Sequence, residues 1–427
     1  MQHVNAAPAW RRAKGHVALA ARERHPPLDQ SVPAVIFRAG GDVLHYGALN
    51  IARSLGRAGV PVFAAVEHRF SPLAASRFCT GSFVLPGRVI TERERLAEWL
   101  FGLVGRFDSR PVVYAADDEA AIVLAEHAED LRAHFRLPDI PSHLPALLST
   151  KSSLSALCRE HGVGGPRTLV ASGRDALDRA VAELGFPLAL KNDSPFRRLE
   201  RPVVGATTIV ETREQLRSIL AHVEEPFSLV VQEYLPRDCC SDWFSHAYVD
   251  HTGRIGPVFT GLKIRSWPPH RGVTTYGAAL SNQALLDETL GLLKKIGYRG
   301  IVDLDWRRDE RHGRFNLLDF NPRTGAQFSL FADCAGLDVV RAMHLDLTDR
   351  LFEPSLMAEG DRFVVEHTDL PARYFHRREE LPVPLPDAGR VRFAWLAVDD
   401  PLPVAVAAGR ALEQVTRRIQ KGVERRN

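Results

Sequence analysis

The sequence has few lysines, few cysteines and no long apolar run. Only seven of the 55 basic residues are lysines, so a lysine within a motif is more informative than an arginine. An odd count of five cysteines without a C-x-x-C pair argues against a disulfide framework and a zinc knuckle, and we expect a reducing, cytoplasmic setting. No run approaches the ~20 apolar residues of a membrane span. The net charge of +3 lacks the basic excess of nucleic-acid-binding proteins, so we expect no nucleic-acid partner.

The N-terminal part of the chain is predicted to be a doubly wound α/β domain. The 427 residues are enough for two to four domains. Residues 1–32 lack a sustained hydrophobic period, and we expect a tail there. An apolar strand from Ala34 to Phe37, a Gly40-Gly41 turn and a helix from about Tyr46 then form a βαβ unit, which predicts a parallel sheet. Prolines at positions 138, 141 and 145 mark the next boundary.

The rest of the chain is predicted to be mixed α/β and α+β. Strands and helices alternate up to about residue 235, and strands of antiparallel texture follow from Trp243. Near the C-terminus, apolar residues three and four positions apart predict one stripe of a helix with a basic opposite face. Packing on the domain and binding to a membrane or partner both remain open for this helix. The stripe consists of Leu412, Val415, Ile419 and Val423.

Four features follow one another between residues 151 and 323. They are a lysine at a helix start, a lysine at a strand end, a polar segment after an apolar strand, and two acidic strands that end in Asn-Pro-Arg. The residues are Lys151; Lys191; Gln232, Glu233, Tyr234 and Leu235; and Asp305, Asp319, Asn321 and Arg323. In this order they resemble the ATP-grasp superfamily of carboxylate–amine or thiol ligases, most of all its D-aspartate ligase-like and amino-acid ligase-like branch. The resemblance covers about residues 34–350.

The resemblance implies a fold and a nucleotide site. It implies a Rossmann-like pre-ATP-grasp domain (33–145), ATP-grasp lobe A (146–235), ATP-grasp lobe B (236–350) and a C-terminal extension (351–427). Lys151 and Lys191 would neutralise the α- and β-phosphates of ATP as compact charges. The backbone of residues 232–235 would bind the adenine edge. Asp242 is the candidate for the ribose contact, with Asp238 second.

Asp305, Asp319 and Asn321 are the predicted metal ligands. They lie on neighbouring strands of one predicted hairpin, so their side chains can converge across the sheet. Two carboxylates and an amide oxygen suit Mg²⁺, with Mn²⁺ as an alternative. The family more often has Glu at both acidic positions. Asp303 has the same strand parity as Asp305 and is an alternative ligand.

The resemblance also implies the catalytic residues. Arg323 would stabilise the acyl phosphate and the tetrahedral intermediate. Lys263 matches the family's lysine near the transferred phosphate, and Arg265 is expected on the same face. His45 is either a substrate contact or an ordinary loop histidine. The stretch 192–205, where the family has a glycine-rich lid, carries Arg197, Arg198 and Arg201 for either the phosphates or an acidic substrate.

Together these features imply an ADP-forming ligase that joins a small-molecule carboxylate to an amine through an acyl phosphate. The catalytic work would be mostly positioning and charge neutralisation. Two alternatives stay open: a bicarbonate-dependent carboligase, and a nucleotide-binding module without ligase activity. The sequence leaves the oligomeric state open, and a homodimer is one candidate because two-fold dimers are the commonest closed oligomers.

Overall fold

A computed structural model describes residues 25–424 except 41–43, 88–91, 197–201, 206, 222, 270, 377–382 and 388. For residues 237 and 414–424 it describes the backbone alone. The predictions for the lid arginines Arg197, Arg198 and Arg201 and for most of the N-terminal tail lie outside these ranges, and the prediction for the basic face of the last helix concerns side chains that are not described. Within them, no helix is long and apolar enough to cross a membrane.

The N-terminal domain is a four-stranded parallel sheet with helices on both faces, as the sequence predicted. The strand order is β3-β2-β1-β4. Alternate residues of β1 belong to different cores, because Ala34 and Ile36 pack towards α1 whereas Val35 and Phe37 pack towards α2 and α3. The elements are β1 Ala34–Phe37, α1 Tyr46–Gly56, β2 Val62–Val66, β3 Gly81–Val84, α2 Arg93–Phe101, β4 Val112–Ala115, α3 Asp118–Glu126 and α4 Ala128–Leu131.

Lobe A is a four-stranded antiparallel sheet in the order β5-β8-β6-β7. One apolar core, which includes Leu177 and Leu216, joins its strands to α7 and α8. The elements are α5 Leu144–Ser149, α6 Lys151–Glu160, β5 Thr168–Ser172, α7 Arg174–Leu184, β6 Leu188–Lys191, β7 Thr208–Val210, α8 Arg213–Leu220 and β8 Ser228–Glu233. Lys151 therefore begins a helix and Lys191 ends a strand, as predicted.

Lobe B contains most of the long sheet of the molecule, whose order is β13-β12-β9-β10-β11-β14-β15, with β14 (Arg362–Val364) and β15 (Val391–Phe393) from the C-terminal extension. One face packs against α9 through residues such as Trp243, Val302 and Leu304. The opposite face carries the charged residues described below. The elements are β9 Cys240–Val249, β10 Ile255–Trp267, β11 Val273–Ala279, α9 Gln283–Lys295, β12 Gly300–Asp309, β13 Arg314–Asn321 and α10 Val339–Leu347.

The predicted C-terminal extension continues lobe B and contacts the N-terminal domain. Its strands join the edge of the long sheet beside β11. Residues 394–400, here called the C-terminal strap, lie against α1, where Arg53 donates to the carbonyl oxygens of Ala394 (3.3 Å) and Trp395 (2.6 Å). The elements are β14 Arg362–Val364, α11 Glu366–Phe375, β15 Val391–Phe393 and α12 Leu402–Glu424.

Candidate active site

One face of the lobe B sheet gathers the predicted metal ligands. Strands β9 and β12 pair in regular antiparallel register, and β13 pairs Asp319 with Asp305 and Asn321 with Asp303. Because side chains alternate along a strand, these residues share one face. The pairing of β12 with β13 is regular from Asp303 to Asp305, and a register shift follows between Asp305 and Trp306. The predicted metal ligands all lie within the regular part. The hairpin predicted from the sequence therefore places its polar residues together.

Lys151 of lobe A reaches across to lobe B and donates a hydrogen bond to Asp319. Lys191, at the end of β6, is 6% exposed, and within the described ranges it has no ion pair. Burial lowers the pKa of Lys191, and the nearby positive charge of Lys151 lowers it further, while Asp319 opposes both. Burial disfavours the ionised form of Asp319, but the charges of Lys151 and Lys191 outweigh it and hold the Asp319 pKa well below its usual range. Both lysines thus lie near one carboxylate that the sequence predicted to bind the metal.

Lys263 pairs with the second predicted metal ligand. Its Nζ lies 2.5 Å from Asp305 Oδ1. Burial lowers the pKa of Lys263, but Asp305 outweighs burial and raises it overall. Burial raises the pKa of Asp305 despite the opposing charge of Lys263, and the neighbouring carboxylates of Asp303 and Asp319 raise it further. The carboxylates of Asp303, Asp305 and Asp319 thus lie on one face, each beside a cationic side chain.

Arg323 connects the hairpin to the N-terminal domain. Its Nη1 donates to Asp303 Oδ2 at 3.0 Å, and its Nε donates to Asp118 Oδ1 at 3.2 Å, at the start of α3. Burial lowers the pKa of Arg323, but the two carboxylates outweigh it, so the guanidinium stays charged. His45 precedes α1 and accepts a hydrogen bond from the Ala48 amide at 3.0 Å. Burial, together with the charges of Arg38 and Arg323, lowers its pKa well below the usual value and keeps it neutral.

His246 is a fully buried histidine on the same face. It lies opposite Asp303 in the β9–β12 ladder, with its Nε2 3.3 Å from Asp303 Oδ1. Neither ring nitrogen has a hydrogen-bond partner within the described part of the chain. Burial lowers the pKa of His246 to about 3. The close fit around it is set by Gly325, where an added Cβ would lie 2.3 Å from His246 Cε1.

The segment between the lobes, residues 233–235, is held at both ends. The Glu233 amide donates to the Arg167 carbonyl at 3.0 Å, which continues the β5–β8 ladder. The Leu235 carbonyl accepts a hydrogen bond from Arg307 Nη1 at 2.9 Å. Arg307 also pairs with Asp242, the predicted ribose contact, through distances of 2.7 and 3.1 Å. Asp242 thus lies beside the segment, as a hinge contact requires, but both its oxygens bind Arg307.

Arg265 does not accompany Lys263, and this expectation is corrected. A register shift in the β10–β11 ladder falls between these two residues, so the alternation that predicted a common face is interrupted. Arg265 instead forms two 2.8 Å hydrogen bonds with Asp369 of α11, and its guanidinium lies 4.1 Å from the centroid of the Tyr276 ring. The structure directs Arg265 towards the C-terminal extension.

The hairpin offers oxygen ligands for part of the coordination shell of a Mg²⁺ ion, and phosphate would supply the rest. Within the described ranges, no three or more His, Cys, Asp or Glu side chains lie close enough to bind one metal alone. Asp305 and Asp319 are directly opposed, however, and Asn321 donates its Nδ2 to the Asp303 carbonyl (3.1 Å), which leaves its Oδ1 for a cation. Protein-bound Mg²⁺ commonly uses one or two carboxylates and completes its shell with phosphates and water.

A cleft of about 480 Å³ opens beside Lys151. It is bordered by Lys151 on α6, by Gln232 on β8 and by Leu317 and Leu318 on β13, so both lobes contribute. One lysine, Lys151, and the apolar side chains of Leu154, Leu317 and Leu318 lie at this opening. Of the predicted nucleotide-binding residues, Lys151 and Gln232 border this cleft, and Lys191, Glu233 and Asp242 are not part of its lining.

Sequence reasoning missed three parts of this site. Asp118 comes from the N-terminal domain, where its only signal was its place at the start of a predicted helix. Arg307 has the same strand parity as Asp303 and Asp305, so a stricter use of alternation would have found it. His246 lies on β9, whose side chains are buried on both faces of the sheet, so the sequence pattern does not single it out. Only the pairing of β9 with β12 shows that His246 lies opposite Asp303.

Comparison with known proteins agrees with this architecture. No protein-family model matches the chain. The chain is 26% identical over 251 residues to a D-aspartate ligase of Enterococcus faecium, a match that spans 56% of this chain and 59% of that protein. The chain therefore matches less than two thirds of that relative's length.

Two solved structures extend the comparison. One is the biotin carboxylase domain of the Hydrogenobacter thermophilus 2-oxoglutarate carboxylase, solved with MgADP, ADP and bicarbonate. The match has a TM-score of 0.56 at 13% identity and covers 78% of this chain and 74% of that chain. An L-amino acid ligase from Bacillus licheniformis has a TM-score of 0.54 at 15% identity and covers 74% of each chain. These are proteins of the ATP-grasp fold. The chain therefore has the ATP-grasp fold, and the predicted resemblance is confirmed.

Proposed function

We propose that the protein is an ATP- and Mg²⁺-dependent ligase that forms an amide or peptide bond and releases ADP and phosphate. The observation that carries the proposal is the alternation of charge across the lobe junction. Lys151 pairs with Asp319, Lys263 pairs with Asp305, and Lys191 lies beside them without an ion pair of its own within the described residues. Such an arrangement presents cations to phosphates and carboxylates to a divalent metal in one place.

The first step is phosphoryl transfer to a carboxylate. A substrate carboxylate oxygen attacks the γ-phosphorus of ATP, the bond to the β-phosphate oxygen breaks, and ADP leaves. Lys151 and Lys191 neutralise the non-transferred phosphates, and Lys263 lies next to Asp305, where the transferred group would pass. Mg²⁺ held by Asp305, Asp319 and Asn321 would supply charge neutralisation between the phosphates.

The second step forms the new bond. An amine nitrogen attacks the acyl carbon, the bond to the phosphate oxygen breaks, and the proton lost by the amine is carried by the departing phosphate. Negative charge develops on the carbonyl oxygen and the departing phosphate. Arg323 is the cation that stabilises it, because Asp118 and Asp303 keep its guanidinium charged and fix it between the N-terminal domain and the hairpin.

The name of the sequence relative supports an amino acid as one substrate. That relative is named D-aspartate ligase. We propose that the carboxylate and the amine are small molecules, at least one of them an amino acid, and that Mn²⁺ replaces Mg²⁺ with partial activity. The likeness to the bicarbonate-bound carboxylase domain is a likeness of fold.

A two-component assay tests the proposal. ADP release is measured with Mg²⁺ and ATP against amino acids singly and in pairs, with mass spectrometry of the products. We expect release that needs two components and a product equal to their sum minus water. Release that needs bicarbonate and one amine would replace the ligase by a carboligase. ATP binding without ADP release over a broad panel would favour the nucleotide-binding module.

A further inference from the structure

Arg307 is a buried arginine that takes no part in the reaction proposed above. It is 6% exposed and stands at the lobe B end of the segment 233–235. Its Nε and Nη2 bind the two oxygens of Asp242, and its Nη1 binds the Leu235 carbonyl. The guanidinium also lies 5.8 Å from the centre of the Tyr234 ring. One side chain therefore connects the long sheet to two residues of the interlobe segment.

The geometry of a guanidinium explains why arginine occupies this position. Its planar fork can bind a carboxylate through two parallel hydrogen bonds while a further N–H points elsewhere, which a lysine ammonium cannot reproduce. Asp242 is directly opposite Arg307 in the β9–β12 ladder, so the backbone already fixes the pair. Burial lowers the pKa of Arg307, but Asp242 outweighs burial and raises it overall, so the fork stays charged.

The backbone N–H of Leu235 is the donor that this arrangement can hold in place for a ligand. The Leu235 carbonyl is occupied by Arg307, whereas none of the hydrogen bonds of the described residues uses the Leu235 N–H. A backbone donor at the opening between two lobes can bind the edge of a base only if the peptide is held in one orientation. Arg307 supplies that constraint from lobe B, and the bond from Glu233 to Arg167 supplies it from lobe A.

We propose that Arg307, together with Asp242, is a positioning residue that fixes the segment 233–235 for recognition of the adenine base. The inference rests on the proposed function only in its assumption that ATP binds at the lobe junction. It reassigns Asp242 from the ribose contact to the partner of Arg307. The phosphates are bound elsewhere, by Lys151 and Lys191, so Arg307 contributes to selection of the base and not to binding of the phosphate chain.

Binding measurements on base and phosphate separate these contributions. Dissociation constants for ATP, GTP and inorganic tripolyphosphate are measured by calorimetry with Mg²⁺ for the wild type, Arg307→Met and Arg307→Lys. The neighbouring Arg308→Met is the matched control, since Arg308 pairs with Glu310 at 2.6 Å, away from the segment. Because Arg307→Met leaves Asp242 without its partner, the double variant Arg307→Met/Asp242→Asn is measured beside it.

We expect the Arg307 variants to bind ATP about 10- to 100-fold more weakly, as loss of a charge-assisted hydrogen bond predicts. Their preference for ATP over GTP should shrink, and tripolyphosphate binding should stay within about twofold of wild type. The control should match wild type for all three ligands. Should any variant fail to fold by circular dichroism, the remaining variants carry the comparison.

Two results would overturn the inference. Equal weakening of ATP and tripolyphosphate would show that Arg307 acts through the phosphates or the general shape of the site. Unchanged ATP binding in folded variants would show that the segment needs no such support. Failure of the wild type to bind ATP at all would instead overturn the proposed function, and this inference with it.

Discussion

Lys151 at the start of α6 donates a hydrogen bond to Asp319 on β13, 168 positions later in the chain. The pair joins the two lobes and links the lysine that we propose to bind phosphate with the carboxylate that we propose to bind the metal. Because Lys151 and Lys191 hold the Asp319 pKa well below its usual range, Asp319 is ionised at every pH in which the protein is expected to work. A permanently ionised carboxylate is what a divalent cation requires.

Asp319→Asn should abolish ATP turnover. The amide keeps the shape of the side chain but loses the charge that binds Mg²⁺, and we expect ADP release to fall at least about 100-fold. The exposed α9 variant Asp287→Asn should retain wild-type turnover, and ADP release by a coupled assay compares the two. Near-normal turnover of Asp319→Asn would remove this residue from the metal site.

Lys191→Met should weaken ATP binding without lowering the stability of the nucleotide-free protein. Lys191 is buried, its pKa is lowered by burial, and it lacks an ion pair within the described ranges, so its charge is not favoured by the protein alone. We expect an equal or higher melting temperature without nucleotide and about tenfold or greater loss of ATP affinity. Thermal melts with and without Mg²⁺-ATP test both. A strong loss of stability without nucleotide would show that Lys191 has a structural role.

The C-terminal strap should stabilise the N-terminal domain through one buried pair. Arg53 and Asp400 are each 1% exposed, and Asp400 also accepts hydrogen bonds from Ser76 Oγ (2.8 Å) and the Arg77 amide (3.0 Å). Asp400→Ala leaves the Arg53 charge uncompensated, and we expect a loss of about 3–5 kcal/mol in the free energy of unfolding.

The adjacent pair is the matched control for the strap. Asp399 binds Arg57 through two 2.8 Å hydrogen bonds, but both side chains are more than 40% exposed. Asp399→Ala should therefore cost under about 1 kcal/mol. Denaturant titration measures both variants. Equal losses would show that burial does not distinguish the two pairs.

His251 should give the protein a pH-dependent contribution to stability. Its Nδ1 lies 2.5 Å from Asp346 Oδ1, and this hydrogen bond and charge raise the His251 pKa above its usual value of 6.5. A raised pKa in the folded state means that the contribution is complete below pH 6.5 and disappears as the pH rises through the folded pKa. The melting temperature of wild type should exceed that of His251→Gln at pH 5.5 and approach it at pH 8.5. A difference that grows with pH would contradict the assignment.

The sequence predicted the elements whose patterns are local. The helix Arg174–Leu184 and the strand Leu188–Lys191 belong to the predicted alternation of helices and strands, because a clean apolar period and flanking glycine or proline residues define them. The Asp305–Asp319 pairing followed from the hairpin connection, which fixes strand register from residues close in sequence. The ordered lysines, acids and Asn-Pro-Arg then led to the ATP-grasp fold.

The parts that were missed depend on contacts between distant residues. Strand β11 pairs with strands on both sides in the sheet, and β14 and β15 are three residues each. The shift between Lys263 and Arg265 cannot be seen from alternation, because alternation assumes that no residue is bulged. Arg323 meets Asp118 across 205 positions, so only the packed domains reveal that pair.

Transfer of an oxygen atom tests the proposed acyl phosphate most directly. Once the two-component assay has identified a substrate pair, the carboxylate is supplied with both oxygens labelled as ¹⁸O, and the phosphate released is examined by mass spectrometry. We predict one ¹⁸O atom in each phosphate, because the attacking carboxylate oxygen stays on phosphorus when the amine displaces it. Phosphate without label, formed together with the amide product, would contradict the acyl-phosphate mechanism.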